Sequence, residues 1–83
     1  MKYLEIENGR LAGFTDPKCR CEAEKFIQEI EETCENFITN SRDGVQTEIW
    51  RYLDGTTFRI IYEEDEMSIE LKDLGSGDYI RIY

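Results

Sequence analysis

Two Xaa-Gly dipeptides constrain the fold of this chain more than any other feature of its sequence. Asn8-Gly9 separates the segments KYLEIE and RLAGF, and Asp54-Gly55 separates TEIWRYL from TTFRIIYE. Both central residues of a type I′ turn need a positive φ, and such a turn joins adjacent antiparallel strands. The sequence therefore predicts two β-hairpins, and alternation in the first places Leu4, Ile6 and Leu11 on its buried side.

The predicted second hairpin sets the register of the main sheet. A two-residue turn at Asp54-Gly55 pairs Leu53 with Thr56, and therefore Trp50 with Arg59. The core side of this hairpin is then predicted to carry Ile49, Leu53, Phe58, Ile60 and Tyr62. The outward side is predicted to carry Glu48, Trp50, Tyr52, Thr57, Arg59 and Ile61.

Two more strands are predicted after the second hairpin. MSIELKD and DYIRIY alternate in the same way, and the Gly-rich stretch LGSGD between them is typical of a turn. The inward side chains of these strands are predicted to be Met67, Ile69, Leu71, Ile80 and Ile82.

One helix is predicted between the hairpins. Asp16 is a suitable N-cap, Pro17 a suitable first helical residue, and the helix is expected to end near Thr39 or Asn40. Its apolar face at helical spacing is Cys19, Ala23, Phe26, Ile27, Ile30, Cys34, Phe37 and Ile38. The element order ββαββββ predicts a single α+β domain, residues 1–83, with an antiparallel sheet and the helix packed on one face.

The charge of the chain narrows its possible partners. Nineteen acidic residues against ten basic ones give a formal net charge of -9, and the sequence has no histidine. Such an excess repels nucleic acids and anionic membranes and attracts basic surfaces. The simpler alternative is that the charge keeps a small protein in solution.

The three cysteines and the N-terminus predict a cytoplasmic protein. Cys19, Cys21 and Cys34 cannot all pair within one chain, and MKYLEIENGR lacks the apolar core of a signal peptide. Cys21 near a helix N-terminus has an environment that favours the thiolate, but without histidine we predict no catalytic role and no metal site.

Two acidic clusters are candidate partner-binding sites. The first is on the predicted helix and comprises Glu22, Glu24, Glu29, Glu31, Glu32 and Glu35. Within it, Glu24, Glu31 and Glu35 form a row that rises about 10 Å and then about 6 Å along the axis, similar to phosphate spacing along a nucleic acid. The second cluster is the predicted turn Glu63, Glu64, Asp65 and Glu66. The alternative for both is a solvated surface without a partner.

Two other functions remain open from the residues alone. The outward aromatic residues Trp50 and Tyr52, together with Tyr79, are candidate hydrophobic anchors. A small structural or adaptor module using this sheet face or an edge strand is therefore an alternative. A second alternative is a metal-dependent nuclease, because Glu70-Leu71-Lys72 has the E-x-K form, with Asp54 or Asp65 upstream.

The chain as a whole, with its helix glutamates and the run 63–66, resembles the small acidic phage-encoded inhibitors of host defence. These include DNA-mimic proteins and several anti-CRISPR proteins. The resemblance implies a stoichiometric protein-binding inhibitor that fills a basic nucleic-acid groove in the host cytosol. It implies no catalysis, no cofactor and no direct binding of nucleic acid.

Overall fold

The computed structural model describes residues 2–83 of the chain, which contain one helix and seven strands. In chain order they are β1 (Leu4–Glu7), β2 (Arg10–Phe14), α1 (Arg20–Thr33), β3 (Glu35–Arg42), β4 (Val45–Arg51), β5 (Thr57–Glu63), β6 (Glu66–Lys72) and β7 (Tyr79–Arg81). Strands β1 and β2 form one antiparallel sheet, and β3 to β7 form a second in chain order. The predicted α+β fold is confirmed, and the four strands predicted after the helix are joined by a fifth, β3.

The first hairpin has the predicted turn. Asn8 and Gly9 have φ values of 53° and 76°, and Glu7 pairs with Arg10 on either side of them. Leu4 is 4% exposed, and Ile6 and Leu11 are partly buried against the core. The preceding residue, Tyr3, is also buried although alternation placed it outward.

The β4–β5 connection differs from the prediction by one residue. The Tyr52 amide donates to the Thr56 carbonyl at 2.8 Å, and the Gly55 amide donates to the Tyr52 carbonyl at 3.0 Å. The loop therefore contains three residues, 53–55, and Gly55 supplies the left-handed conformation with a φ of 93°. Trp50 pairs with Phe58 and not with Arg59, so the predicted register is wrong.

The register shift reverses the two faces of β4. Tyr52, predicted to face outward, is 3% exposed, and Trp50 packs against the core. Leu53, predicted to be in the core, is 91% exposed. Ile49 moves to the face that carries Arg59, as expected because side chains alternate along a strand.

The helix is shorter than predicted at both ends. It begins after Cys19, which is exposed, and it ends at Thr33, because the next residue, Cys34, has an extended φ of -142°. The following residues form β3, and Asp43 and Gly44, with φ values of 54° and 80°, turn the chain into β4. Asparagine, threonine and serine in 35–42 are weak helix formers, and pairing with β4 favours the strand.

Aromatic side chains join the helix to both sheets. The rings of Phe26 and Phe58 lie 5.6 Å apart in an edge-to-face arrangement. The Phe14 ring contacts both, with centroid distances of 6.1 Å to Phe26 and 6.3 Å to Phe58. The helix also buries Ala23, Ile27 and Ile30, so its predicted packing on one face of the sheet is confirmed.

The face of the five-stranded sheet turned away from α1 is termed the open face. Strand pairing aligns one row across it, from edge to edge: Ile38, Ile49, Arg59, Glu70 and Arg81. The helix-side face instead carries the predicted inward residues Phe58, Ile60 and Ile69, which are fully buried. Met67, Leu71 and Ile82 pack beside them, whereas Ile80 is 55% exposed.

The register can be checked by comparing two truncations. Phe58→Ala should lower the free energy of unfolding by about 3–5 kcal/mol, because it removes a fully buried ring from the aromatic cluster. Leu53→Ala should change it by less than about 1 kcal/mol, since the side chain is exposed. Chemical denaturation measures both. A loss at Leu53 as large as that at Phe58 would contradict the three-residue loop.

Candidate functional site

The Glu29 carboxylate stabilises the fold and is not free to contact a partner. Its Oε1 atom accepts hydrogen bonds from the backbone amides of Tyr3 and Leu4, both at 2.9 Å, and its Oε2 lies 3.0 Å from the Tyr3 amide. Both amides belong to buried residues at the start of the first hairpin. A carboxylate from the helix thus satisfies backbone donors and fixes the hairpin to α1.

Glu22 also has a structural contact. Its Oε1 accepts the Lys18 backbone amide at 2.8 Å, just before the helix begins. Cys19 makes no side-chain cap at this end. The Glu22 carboxylate therefore satisfies a free donor there, and its charge is favourable at the positive end of the helix dipole.

The remaining helix acids are exposed on the outer side of α1. Glu24 lies 3.5 Å from the Nε atom of Arg20, and Glu32 accepts a hydrogen bond from Gln28 at 3.2 Å. Glu31 is exposed as well. Surface ion pairs of this kind contribute between about 0 and 1 kcal/mol, so these side chains remain available to a partner.

The predicted row Glu24, Glu31 and Glu35 does not exist along the helix. Glu35 is the first residue of β3, because the helix ends at Thr33. There it pairs with Arg51 of the neighbouring strand β4. The phosphate-like spacing that the sequence predicted on one helix is therefore wrong.

The second acidic cluster adjoins the N-terminal end of the helix. Glu63, Glu64, Asp65 and Glu66 are all exposed at the β5–β6 turn. An Arg20 Nη1 group donates to the backbone carbonyl of Asp65, and the same guanidinium pairs with Glu24. The two acidic clusters thus meet at Arg20, with this cation between them. We term Glu24, Glu31, Glu32 and residues 63–66 the acidic surface.

Glu48 lies on the helix side of β4, where the sequence-based register did not place it, and it is partly buried. Its two carboxylate oxygens accept hydrogen bonds from Trp50 Nε1 at 3.0 Å and Gln46 Nε2 at 2.7 Å. Burial, together with the charges of Glu48 and Glu31, raises the pKa of Tyr62 to about 12. Tyr62 is thus a half-buried aromatic residue close to two carboxylates. A sequence-based register with a three-residue β4–β5 loop would have placed Glu48 on the helix side of the sheet.

The three predicted hydrophobic anchors lie in different environments. Tyr52 is buried, and its hydroxyl lies 2.7 Å from the Thr33 hydroxyl. Trp50 is partly buried on the helix side, so neither residue forms the predicted outward patch. Tyr79 is half-buried on the open face, where its ring stacks 3.8 Å from the Arg59 guanidinium.

The E-x-K residues take part in the sheet. Glu70 forms an ion pair with Arg59, with 2.5 Å between Oε1 and Nε. Asp54 accepts the Thr56 amide at 2.9 Å in the β4–β5 loop. Within residues 2–83, no group of three or more carboxylates or thiols is placed to hold a metal ion.

The three cysteines differ in their exposure. Cys34 is half-buried, its thiol lies 3.2 Å from the Ile30 carbonyl, and burial raises its pKa to about 11. Cys19 and Cys21 are exposed, so the prediction that Cys19 lies on the buried helix face is wrong.

Comparisons with known proteins do not assign this chain to a family. No family model matches it, and neither the curated proteins nor the solved structures gave a significant match. In the described part of the chain, α1 is too short and too polar to cross a bilayer.

The structural role of Glu29 can be separated from its charge. Glu29→Ala should lower the free energy of unfolding by about 1.5–3 kcal/mol, because two buried backbone donors lose a charged acceptor. Glu31→Ala, with the same change of charge on the exposed side of α1, should change it by about 0.5 kcal/mol or less. Denaturant titration of both variants measures the difference. Equal effects would show that Glu29 does not fasten the hairpin.

The environment of Tyr62 predicts a loss of stability at alkaline pH. Its pKa of about 12 in the fold exceeds the ordinary value of 10.0, so the neutral phenol is favoured by folding. This contribution is complete below pH 10 and is lost as pH rises towards 12. Tyrosine-selective NMR should find Tyr62 ionising well above pH 10. In Glu31→Gln its pKa should fall only slightly, because burial is the larger cause. A Tyr62 pKa near 10 in the native protein would contradict the burial of its phenol in the fold.

Proposed function

We propose that this protein is a stoichiometric inhibitor whose acidic surface occludes the basic nucleic-acid-binding groove of another protein. The observation that supports this best is the meeting of the two acidic clusters at Arg20. A single exposed region thereby carries the β5–β6 turn and the exposed side of α1 with Glu24, Glu31 and Glu32. Inhibitors of this kind include DNA mimics and anti-CRISPR proteins, and the proposed site of action is the cytoplasm.

The net charge of -9 gives such a protein a long-range attraction to a lysine- and arginine-lined groove. Complementary potentials raise the association rate, and this effect weakens as salt shortens the screening length to about 8 Å at physiological ionic strength. Because Glu22 and Glu29 are engaged by backbone amides, the contact relies on the exposed acids of α1 and of the turn.

Charge alone seldom produces tight binding, so a desolvated contact is also needed. The predicted anchors Trp50 and Tyr52 are occupied by the fold. Tyr62 is better placed, because its half-buried ring lies near Glu31 and Glu48. A partner lysine or arginine could contact a carboxylate and the aromatic ring together.

The proposal is tested by a triple charge reversal, Glu31→Lys, Glu63→Lys and Glu66→Lys. Immobilised wild-type protein should retain basic nucleic-acid-binding proteins from a lysate, and duplex DNA should release them. The triple variant should lose this retention, because its changes lie within the acidic surface.

The matched control reverses three exposed acids elsewhere, Glu5→Lys, Asp16→Lys and Asp78→Lys. It carries the same change in net charge and should keep most of the DNA-releasable binding. Equal loss in both variants would show a general charge effect and no defined surface. Retention that duplex DNA cannot displace would contradict nucleic-acid mimicry.

A second candidate function is an interaction module that uses the open face. Ile38 is 50% exposed there and pairs across the strands with the half-buried Ile49. Half-buried Ile61 lies on the same face. The double variant Ile49→Ser, Ile61→Ser separates the two functions, because it leaves every acidic side chain in place. Loss of partner binding in this variant, with normal binding by the triple reversal, would favour the module.

A further inference from the structure

The outer edge of β3 is the longest exposed strand edge in the described part of the chain. It is an edge strand of the five-stranded sheet, and all eight of its residues are exposed. The opposite edge, β7, has only three residues. Phe37 and Ile38 in β3 are 54% and 50% exposed. An edge strand presents unpaired backbone groups on its outer side, and these can pair with another strand.

A bulge determines which β3 side chains share a face. Asn36 pairs with Trp50 and Ile38 with Ile49, so Phe37 is an extra residue without an opposite partner. In a regular strand, Glu35 and Arg42 would project from opposite faces, because they are seven positions apart. With the extra residue, both lie on the open face, opposite Arg51 and Val45 respectively.

This arrangement makes β3 complementary to itself. Two copies paired antiparallel about a two-fold axis perpendicular to the sheet keep their open faces on the same side. When the strands overlap over their full length, Thr39 lies at the axis. The positions along β3 are counted by their β4 partners, so the bulged residue Phe37 is left out. Glu35 then lies opposite Arg42 of the second copy, and Ile38 lies opposite Asn40. The symmetry repeats each contact.

We propose that β3 pairs with β3 of a second copy of this chain and forms a continuous ten-stranded sheet. Two symmetric Glu35–Arg42 ion pairs fix the register. The two Ile38 side chains become diagonal neighbours on the open face, about 7–8 Å apart between backbones and within reach of one another. The exposed part of Ile38 then extends the apolar contact that it makes with Ile49. This proposal is independent of the function proposed for the acidic surface.

Charge supports a second copy over an unrelated strand. Each chain carries a net charge of -9, and repulsion between copies opposes association. At physiological salt this repulsion is screened beyond about 8 Å, whereas paired side chains at the strand ends lie within that distance. Arg42 otherwise pairs only weakly with Asp43, at 3.7 Å on a fully solvated turn. An acidic residue at one end of β3 and a basic residue at the other match an antiparallel copy of the same strand.

The test uses two single charge reversals, Glu35→Arg and Arg42→Glu. Wild type should be dimeric by sedimentation equilibrium at physiological salt. The dimer of each single variant should have a dissociation constant at least about tenfold higher than that of wild type, because both ion pairs become like-charge contacts. An equimolar mixture of the two variants should dimerise again, since each mixed dimer contains two opposite-charge pairs. The double variant E35R/R42E should also dimerise.

Circular dichroism and thermal unfolding of each variant provide the folding control. Recovery of the dimer on mixing already shows that both single variants are folded. A wild-type chain that stays monomeric up to about 1 mM would overturn the proposal. So would a dimer that ignores the single reversals, or a mixture that does not recover. If β3 instead binds a strand of a different protein, the purified wild-type chain should remain monomeric in the same experiment.

Discussion

The register of the β4–β5 hairpin is the constraint on which the rest of the structure depends. With three residues in the loop, Trp50 stands opposite Phe58 and the Tyr52 side chain turns under the helix. The Tyr52 ring then lies 6.1 Å from Phe58, and its hydroxyl contacts Thr33 at the end of α1. A loop shorter by one residue would place Leu53 in this position and expose the two aromatic residues. The packing of the aromatic cluster between the sheet and the helix therefore depends on one turn geometry.

The acidic helix combines a structural function with an exposed charge. Burial of its apolar side positions α1 against the sheet, and the Glu29 carboxylate then fastens the first hairpin to it. Glu22 satisfies a backbone donor at the helix start. Part of the negative charge is thus explained by the fold. The exposed glutamates beyond these two are not required for it, and like charges at helical spacing are slightly unfavourable. They are the part of the charge to which the proposed binding function is assigned.

Sequence patterns predicted the fold class because they report local chemistry, and they failed where a longer-range contact decided the outcome. Asn8-Gly9 and the alternating segments β5 and β6 were correct. Residues Phe37 and Ile38 fitted the helical period, yet pairing with β4 made them a strand. The signal that could have shown this is Asp43-Gly44, a third Xaa-Gly dipeptide, whose φ values are both positive. For the site, acidic composition predicted the turn cluster. The meeting of that cluster with the helix at Arg20 depends on packing and could not be derived from sequence spacing.

The proposed dimer and the proposed acidic contact reinforce each other through symmetry. A two-fold axis perpendicular to the sheet leaves both helices on the same side of the ten-stranded sheet, because it preserves the faces. Both acidic surfaces then project towards that side, while the two open faces project together to the other. A partner with two basic sites, or one extended basic groove, can engage both copies at once. The second contact is then intramolecular and takes place at a high effective concentration. Carboxylate contacts that are individually weak because they are exposed thereby add more to the overall affinity than they would in a single copy.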